Sequence, residues 1–332
     1  MESEYKMNKL LYKLEAYLKM SVSRREFMKI LIGGLVYFLS ENQFLKFAFA
    51  KNSDAMPRVK KSIDCAHDLV AVKGLNSGKN VEKAIELLGG IEKFVKKGDV
   101  VLVKPNMAWD RSPEQAANTD PQVVATIVEL CYKAGAKRVN VFDIPCNDDR
   151  RVYENSGIQK AAEEKGAKVY FADHWNVLKA KFPYKSAMED WPIVRDAVVC
   201  DTFINVPVLK HHGLTGLTLS MKNLMGVCSG TRGLIHIDIA KKLVDLTDFI
   251  NPDLTVIDAT RVLTKNGPSG GSLKDVINLD TVIASTDPTL ADTYACKLMK
   301  KDPMSVPYLK EAFERKFGKS NLEKSDIKEL TI

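Results

Sequence analysis

The chain has 332 residues, of which 45% are hydrophobic and 27% are charged, a composition typical of a globular protein with a substantial core. These proportions exclude an intrinsically disordered chain. The formal net charge is +7 at pH 7, and residues 1–50 contribute three of these charges. Because the remaining excess is small and no basic run contains interleaved aromatic residues, the sequence does not support nucleic-acid binding.

The first 50 residues contain the three parts of a twin-arginine export signal. Residues 23–29 read SRREFMK, an apolar run follows from residue 30 to 39, and residues 48–50 read AFA. The last is the small-x-small pattern that a signal peptidase recognises. We expect residues 1–50 to be recognised by the twin-arginine translocase, which places residues 51–332 in the periplasm or another extracytoplasmic space. An uncleaved signal would tether the protein to the membrane, although the apolar run is shorter than the ~20 residues of a full span.

Behind this signal, short β-rich runs alternate with helical runs. Helices are predicted over residues 81–95, 121–134, 153–165 and 288–298, and strands over residues 100–103, 138–142, 169–171, 197–206, 254–257 and 281–284. Several strands are continuous apolar runs, which are typical of a parallel sheet covered on both faces. The sequence predicts an α/β fold, a mostly parallel sheet with helices on both faces, in a single large domain. A small insertion is expected around residues 174–196, and a solvated terminal helix from residue 310.

Polar residues recur at the points where the predicted strands end. Lys104 and Asn106 follow one strand, and Asp143, Asp173 and Asp258 follow three others. Ligands of open parallel sheets bind beyond the carboxyl ends of the strands. A single aspartate there most often caps a loop or helix, but several beside a lysine indicate a binding site.

The densest set of polar residues lies within residues 205–226, which read NVPVLKHHGLTGLTLSMKNLMG. A loop is predicted from residue 207, and residues 218–225 are predicted to form a helix whose first N–H groups can bind an anion. Lysine, histidine and asparagine side chains are rare in protein cores, so this segment is better suited to a site. Its candidate catalytic residues are Lys210, His212, Lys222 and Asn223.

The same residues resemble a known family. Pro207-x-x-Lys210-x-His212, followed by Thr218-Leu219-x-x-Lys222-Asn223-x-x-Gly226 and His236, is similar to the signature of a broad bacterial and archaeal family, domain of unknown function 362. The resemblance covers about residues 60–300 and includes, in the same order, Lys104-Pro105-Asn106, Thr119-Asp120-Pro121, Asp258, Gly267-Pro268-x-x-Gly271 and Asp287-Pro288-x-x-x-Asp292. The candidate substrate-binding residues are Lys104, Asn106, Asp143 and Gly267.

The family has no agreed activity, so the resemblance implies little about the reaction. Many members carry an appended ferredoxin-like segment with clustered cysteines. The six cysteines of this chain include no Cys-x-x-Cys pair, and the sequence therefore contains no iron–sulfur cluster motif. This departure from the family pattern puts an iron–sulfur role in doubt.

The sequence is compatible with two kinds of site chemistry. In the first, imidazole and carboxylate ligands hold a divalent transition metal, and the candidates are His212, His236, Asp258 and Asp292. In the second, the lysines hold the phosphate or carboxylate group of an organic substrate. Nucleophilic catalysis by Cys146 or Cys228 is a further alternative.

The sequence is interpreted as an exported enzyme acting on a small anionic substrate, with lysines positioning it and His212 or a strand-end aspartate moving protons. One alternative is a non-catalytic protein that binds a metal or an oxyanion. Another is an accessory protein of a redox system, which the missing cysteine cluster weakens.

Overall fold

Strands and helices alternate along residues 54–332, the part of the chain that the computed structural model describes. The strands are β1 (Asp54–Ala55), β2 (Leu69–Lys73), β3 (Val100–Pro105), β4 (Arg138–Val141), β5 (Lys168–Val169), β6 (Val177–Ala180), β7 (Pro192–Val194), β8 (Thr202–Val206), β9 (Val208–His212), β10 (Gly216–Thr218), β11 (Leu254–Leu263), β12 (Val276–Ser285) and β13 (Ile327–Thr331). The α-helices are α1 (Ser77–Leu87), α2 (Pro121–Lys133), α3 (Asp149–Asn155), α4 (Ile158–Glu163), α5 (Arg195–Val199), α6 (Ser220–Asn223), α7 (Ile239–Ile250), α8 (Pro288–Leu298) and α9 (Pro307–Glu314).

Ten of these strands form one sheet within the described residues. Its order is β13-β2-β12-β11-β8-β3-β4-β5, with β9 paired to β11 and β10 paired to β9. The pairs around the centre, β11 with β8, β8 with β3 and β3 with β4, are parallel. Within the described part of this sheet, only β12 and β10 run antiparallel to their neighbours. The prediction of a mostly parallel sheet is therefore confirmed.

Apolar side chains cover both faces of this sheet. In β3, Leu102 points into one hydrophobic cluster, while Val101 and Val103 belong to another. Helices α7 and α8 pack into the first cluster, and α1 and α2 pack into the second. Because successive side chains of a strand point to opposite faces, burial on both faces requires the continuous apolar runs seen in the sequence.

Two helices begin at the caps that the sequence predicts. Asp120 accepts a hydrogen bond from the N–H of Gln122 at the start of α2, and Pro121 follows it. Asp287 accepts hydrogen bonds from the N–H groups of Thr289 and Leu290 at the start of α8. These carboxylates satisfy N–H groups that have no partner inside their helices.

Several predicted elements differ in the structure, among them two in the middle of the chain and the terminal segment. The helix predicted over residues 153–165 is divided into α3 and α4 by Gly157, whose φ of 71° lies in the left-handed region. The strand predicted over residues 197–206 begins as the short helix α5. The terminal segment contains α9 and then β13, which pairs in parallel with β2 at the edge of the sheet. The hydrogen bonds of β13 come from its pairing with β2, and the sequence of residues 327–331 alone does not predict a strand.

The expected insertion is a separate small sheet. Strands β6 and β7 pair antiparallel, and β1 joins β6 in parallel, giving the order β1-β6-β7. The predicted signal, residues 1–50, lies outside the described residues, so the boundary at residue 51 stays a prediction. Within residues 54–332, no helix combines the length and apolarity needed to cross a membrane.

Candidate functional site

A cavity of about 570 Å³ lies beyond the carboxyl ends of β3 and β4 and beside β9. Its volume suits a small organic molecule. The residues that line it are Asn106, Ala108, Trp109, Asp143, Ile144, Cys146, Lys210, His212, Leu214, Thr218, Lys222, Asn223, Met225, Gly226, Arg232, Gly233, His236 and Pro268. The structure thus brings together seven predicted site residues: Asn106, Asp143, Lys210, His212, Lys222, Asn223 and His236.

The hairpin of β9 and β10 positions the central lysine and histidine. The loop predicted from residue 207 is instead β9, in which Lys210 lies opposite Thr218 of β10. The predicted helix over residues 218–225 is shorter and is divided between α6 and a 3₁₀ turn, Leu224–Val227. Strand pairing overrides the loop signal of Pro207 because that residue lies between β8 and β9 and interrupts neither.

Lys104 lies beneath the cavity and does not line it. Its Nζ donates to Asp143 Oδ1 at 2.8 Å, to the Pro105 carbonyl at 2.8 Å and to Asn223 Oδ1 at 3.1 Å. These three bonds use all the donors of an ammonium group. Burial lowers the pKa of Lys104, and the charge of Asp143 opposes that shift. Every donor of Lys104 is engaged inside the protein, so none is free for a ligand in this structure, and its predicted contact with a substrate stays a prediction.

Asp143 is also committed to the protein interior. Besides Lys104, its carboxylate accepts from the N–H of Met107 at 2.7 Å and from the N–H of Ile144 at 2.9 Å. Its negative charge is therefore neutralised below the cavity surface.

Lys210 is fully buried and is held by two acceptors. Its Nζ donates to Asn106 Oδ1 at 2.9 Å and to the carbonyl of Ala117. Burial lowers the pKa of Lys210 to about 7. An ammonium group has three donors, so one remains for a ligand in the cavity. Lys210 can both bind an anion and exchange a proton near neutral pH.

Asn106 and Asn223 connect the two buried lysines. Asn106 Nδ2 donates to Asn223 Oδ1 at 3.1 Å. Asn223 Nδ2 donates to Asn205 Oδ1 at 2.8 Å and to the Lys104 carbonyl at 3.2 Å. Both ends of the Asn223 amide are engaged inside the protein, an arrangement that suits the positioning of the two lysines, and its predicted catalytic role stays a prediction.

Lys222 and Arg232 add positive charge from another side. Lys222 is half-buried in α6, and burial lowers its pKa to about 8, with the Arg232 charge acting in the same direction. Arg232 donates to the carbonyls of Ile144 at 2.6 Å and Pro145 at 2.5 Å, which ties the 3₁₀ segment Arg232–His236 to the strand β4 side of the cavity. Arg232 is not among the predicted site residues; its signal in the sequence is the run from Gly226 to Gly233, which contains three glycines.

His212 is fixed in one tautomer by its own hairpin. Its Nδ1 accepts hydrogen bonds from the N–H groups of Leu214 at 3.1 Å and Thr215 at 3.3 Å. A neutral ring whose Nδ1 accepts carries its proton on Nε2, which is left for the cavity. Burial, with the Lys222 charge next in importance, lowers the pKa of His212 to about 3. His212 therefore presents a neutral N–H donor to the cavity. Its proton is bonded to Nε2 at the position where a metal would have to bind.

The four predicted metal ligands are not assembled. Asp258 accepts from the N–H of Asp120 at 2.7 Å and from the hydroxyl of Thr260 at 2.6 Å. Asp292 accepts from the N–H and hydroxyl of Ser220 at 2.8 and 2.5 Å. Neither aspartate lines the cavity with His212 and His236. Within the described residues, no group of three or more His, Cys, Asp or Glu side chains is arranged to hold a metal.

Both aspartates instead accept hydrogen bonds from backbone N–H groups where helices begin, Asp258 at the start of α2 and Asp292 at the start of α6. Burial raises the pKa of Asp258 to about 6 and that of Asp292 to about 7, against the hydrogen bonds that favour their charged forms. His236 lies at the exposed rim of the cavity, where its Nδ1 is 3.2 Å from the Gly233 carbonyl. Asp173 does not line the cavity; it accepts from the N–H of Trp175 within a turn.

Two glycines allow close packing around the site. A Cβ at Gly226 would lie 1.7 Å from Asp143 Oδ1 and 2.6 Å from Lys104 Nζ. A Cβ at Gly267 would lie 1.9 Å from the His211 carbonyl oxygen. Gly267 also donates its N–H to His211 Nδ1 at 3.1 Å. Gly267 thus packs against β9, and the next residue, Pro268, lines the cavity; the predicted substrate contact of Gly267 stays a prediction.

The Thr218 hydroxyl and the Cys146 thiol also line the cavity. The Thr218 hydroxyl is buried and makes no hydrogen bond within residues 54–332. Cys146 is an exposed thiol on the cavity wall. The other candidate nucleophile, Cys228, is fully buried, and burial raises its pKa to about 12, which suppresses the reactive thiolate.

Comparison with known proteins gives a family and several relatives. The model of the family described as domain of unknown function (DUF362) matches residues 101–297. A thylakoid-associated protein of Synechocystis sp. is 28% identical over 240 residues, which are 67% of this chain and 70% of that protein.

Two solved structures are also similar. The lactate racemase apoprotein from Thermoanaerobacterium thermosaccharolyticum has a TM-score of 0.46 and 13% identity, covering 71% of this chain and 57% of that one. A protein from Thermotoga maritima has a TM-score of 0.41 and 14% identity, covering 69% of this chain and 60% of that one. The chain thus spans less than two thirds of the length of both solved chains.

Proposed function

The chain belongs to the family described as domain of unknown function 362, and we propose that it is an enzyme whose cavity binds a small organic anion. The observation that carries this proposal is the charge of the lining. Lys210, Lys222 and Arg232 all line the cavity, and the one carboxylate among its lining residues, Asp143, is already paired with Lys104. The cavity therefore holds uncompensated positive charge, which an anionic ligand would neutralise.

The lining also favours an organic anion over a bare inorganic one. Trp109, Ile144, Leu214 and Met225 contribute apolar surface beside the cations. Ligand cavities typically combine such apolar walls with a few convergent polar groups. A small carboxylate with a short carbon skeleton fits both parts.

Catalysis is supported by the proton chemistry of the lysines. A protein built only to capture an anion gains most from permanently charged groups such as Arg232. Here burial brings the pKa of Lys210 to about 7, the range in which a group can give and accept a proton at neutral pH. Lys210 is the proposed acid–base group, and His212 Nε2–H is the proposed neutral donor that orients the substrate.

The location of the enzyme is a second part of the proposal. We propose that residues 1–50 direct export by the twin-arginine route, as their SRREFMK motif indicates. The relative from Synechocystis sp. is named as thylakoid-associated, which agrees with a place at or beyond a membrane. Replacement of both Arg24 and Arg25 by lysine should retain the protein in the cytoplasm in cell fractionation, and unchanged export would contradict this part.

The enzymatic proposal is tested with acetate, pyruvate, succinate and inorganic phosphate as probes. Thermal shift identifies the anions that bind, and proton NMR in D₂O detects carbon-bound hydrogen exchange or conversion. We expect binding of a carboxylate and a change in its spectrum that Lys210→Met abolishes and Lys210→Arg strongly reduces. Binding without any spectral change would support the non-catalytic alternative. Failure of every anion to bind would contradict the proposal.

A further inference from the structure

Lys222 differs from the other two lysines of the site in its hydrogen bonds. Its Nζ contacts Met225 Sδ at 3.4 Å and has no oxygen acceptor among the described residues. A thioether sulfur is a weak acceptor, whereas Lys104 and Lys210 donate to carbonyl, amide or carboxylate oxygens. The Lys222 amine is therefore half-buried, faces the cavity and is poorly stabilised as an ammonium ion.

We propose that Lys222 is a nucleophile that forms an imine with the carbonyl carbon of a small aldehyde or 2-oxo carboxylate. This inference rests on the proposed function, since it assigns the substrate class of the same cavity. Amines of this kind attack carbonyl groups in their neutral form. Burial lowers the pKa of Lys222 to about 8, so a usable fraction of the amine is neutral near physiological pH.

The lining offers partners for both ends of such a substrate. Arg232 can bind the carboxylate, which leaves the third donor of Lys210 for proton transfer. The carbonyl oxygen can accept from His212 Nε2–H and from the Thr218 hydroxyl, which is buried and lacks a partner in this part of the chain. An unsatisfied buried hydroxyl is costly, and a ligand oxygen would remove that cost.

The reaction balances without an added oxidant or reductant. The lone pair of the Lys222 nitrogen forms the C–N bond while the carbonyl π electrons move to oxygen. The resulting carbinolamine loses that oxygen as water, which carries away both amine hydrogens and leaves a neutral C=N bond. Lys210, with its pKa of about 7, can relay the protons between nitrogen and oxygen.

The inference is tested by trapping the imine on the full-length protein. Glyoxylate or pyruvate is added at millimolar concentration with sodium cyanoborohydride, which reduces an imine to a stable secondary amine. Intact-mass analysis counts the adducts, and peptide mapping locates them. We expect one adduct per chain, at Lys222, lost in Lys222→Met and in Lys222→Arg. Lys274→Met, which changes an exposed lysine, should retain it.

Calorimetry separates failure of this inference from failure of the anion site. Acetate has no reactive carbonyl, so its binding reports the anion site alone. If acetate or pyruvate binds but no adduct forms at Lys222, the imine is excluded and the anion site stands. Adducts confined to surface lysines, equal in wild type and Lys222→Met, also overturn the imine. If none of these carboxylates binds or reacts, both proposals are wrong.

Discussion

Lys104 and Asp143 form an ion pair of 2.8 Å beneath the cavity floor, where their side chains are 0% and 2% exposed. The pair fixes the chain after β3 to the chain after β4, because Asp143 also binds the N–H groups of Met107 and Ile144. The positive charge of Lys104 also neutralises the negative charge of Asp143. The electrostatic field in the cavity is therefore set by Lys210, Lys222 and Arg232.

Breaking this pair from one side should destabilise the fold. Lys104→Met leaves the Asp143 carboxylate buried without a cation, so the free energy of unfolding should fall by about 3–5 kcal/mol. Urea unfolding followed by circular dichroism measures the change. Lys133→Met, which removes an exposed partner of Glu129, serves as the control and should leave unfolding unchanged. The double variant Lys104→Met/Asp143→Asn should recover part of the lost stability, because no buried charge is left unpaired. If it loses as much stability as Lys104→Met alone, a charge-pair role is contradicted.

Gly226 should not tolerate a side chain. Because an added Cβ would overlap Asp143 Oδ1, Gly226→Ala must displace the ion pair and should cost about 3 kcal/mol of stability, at the upper end of overpacking effects. Gly233→Ala is the matched control, since its Cβ would meet no atom within 4 Å. Thermal melts of the two variants make the comparison. Similar melting temperatures would show that an alanine Cβ fits at position 226 without displacing the ion pair.

The buried amine of Lys210 should make stability depend on pH. Its pKa is lowered from 10.5 to about 7 by burial, so between these values the unfolded chain binds a proton that the folded chain does not. The free energy of unfolding contributed by this group must then rise as pH increases from about 7 towards 10.5. Urea titrations at successive pH values should show this rise in wild type and in Lys274→Met, and a flatter profile in Lys210→Met. Parallel profiles in all three proteins would be inconsistent with a desolvated Lys210.

Two substitutions separate the roles of the His212 nitrogens. Asparagine places an acceptor near the position of Nδ1, so His212→Asn should preserve the hairpin but lose the Nε2–H donor. We expect an unchanged melting temperature and roughly fivefold weaker carboxylate binding, the effect of about one hydrogen bond. His212→Gln should leave the N–H groups of Leu214 and Thr215 unpaired and lower stability by about 1–3 kcal/mol. The reverse ranking of the two melting temperatures would refute the assigned tautomer.

The strand-end rule accounts for what the sequence predicted of the site. Asn106 and Asp143 follow adjacent parallel strands, and the parallel sheet brings them to one edge, so their proximity follows from strand patterns alone. Lysine is poor core material, which predicts a site role for Lys210, and Lys210 is nevertheless fully buried. The sequence could not show that β9 folds back on β10 and carries that lysine inside.

The differences between the predicted and the observed surroundings of these side chains have a common physical origin. Asp258 and Asp292 look like metal ligands in sequence, but their partners are backbone N–H groups and hydroxyls that only the fold brings near. Lys104 looks like a substrate contact because nothing in its neighbours reveals three internal acceptors. Arg232 lies in a 3₁₀ segment without periodicity, so no regular sequence pattern indicates its place at the cavity. Hydrogen-bond partners distant in sequence decide each of these roles.

The most direct test of the central claim is calorimetric titration of wild type and Arg232→Gln with pyruvate and acetate at pH 7. An anion held by Lys210, Lys222 and Arg232 should bind once per chain, and loss of one charge-assisted contact should weaken it by about tenfold or more. Arg150→Gln, which removes an exposed arginine outside the cavity lining, is the control and should bind as wild type does. Binding that is absent from wild type, or equal in Arg232→Gln and Arg150→Gln, would contradict an anion site in this cavity.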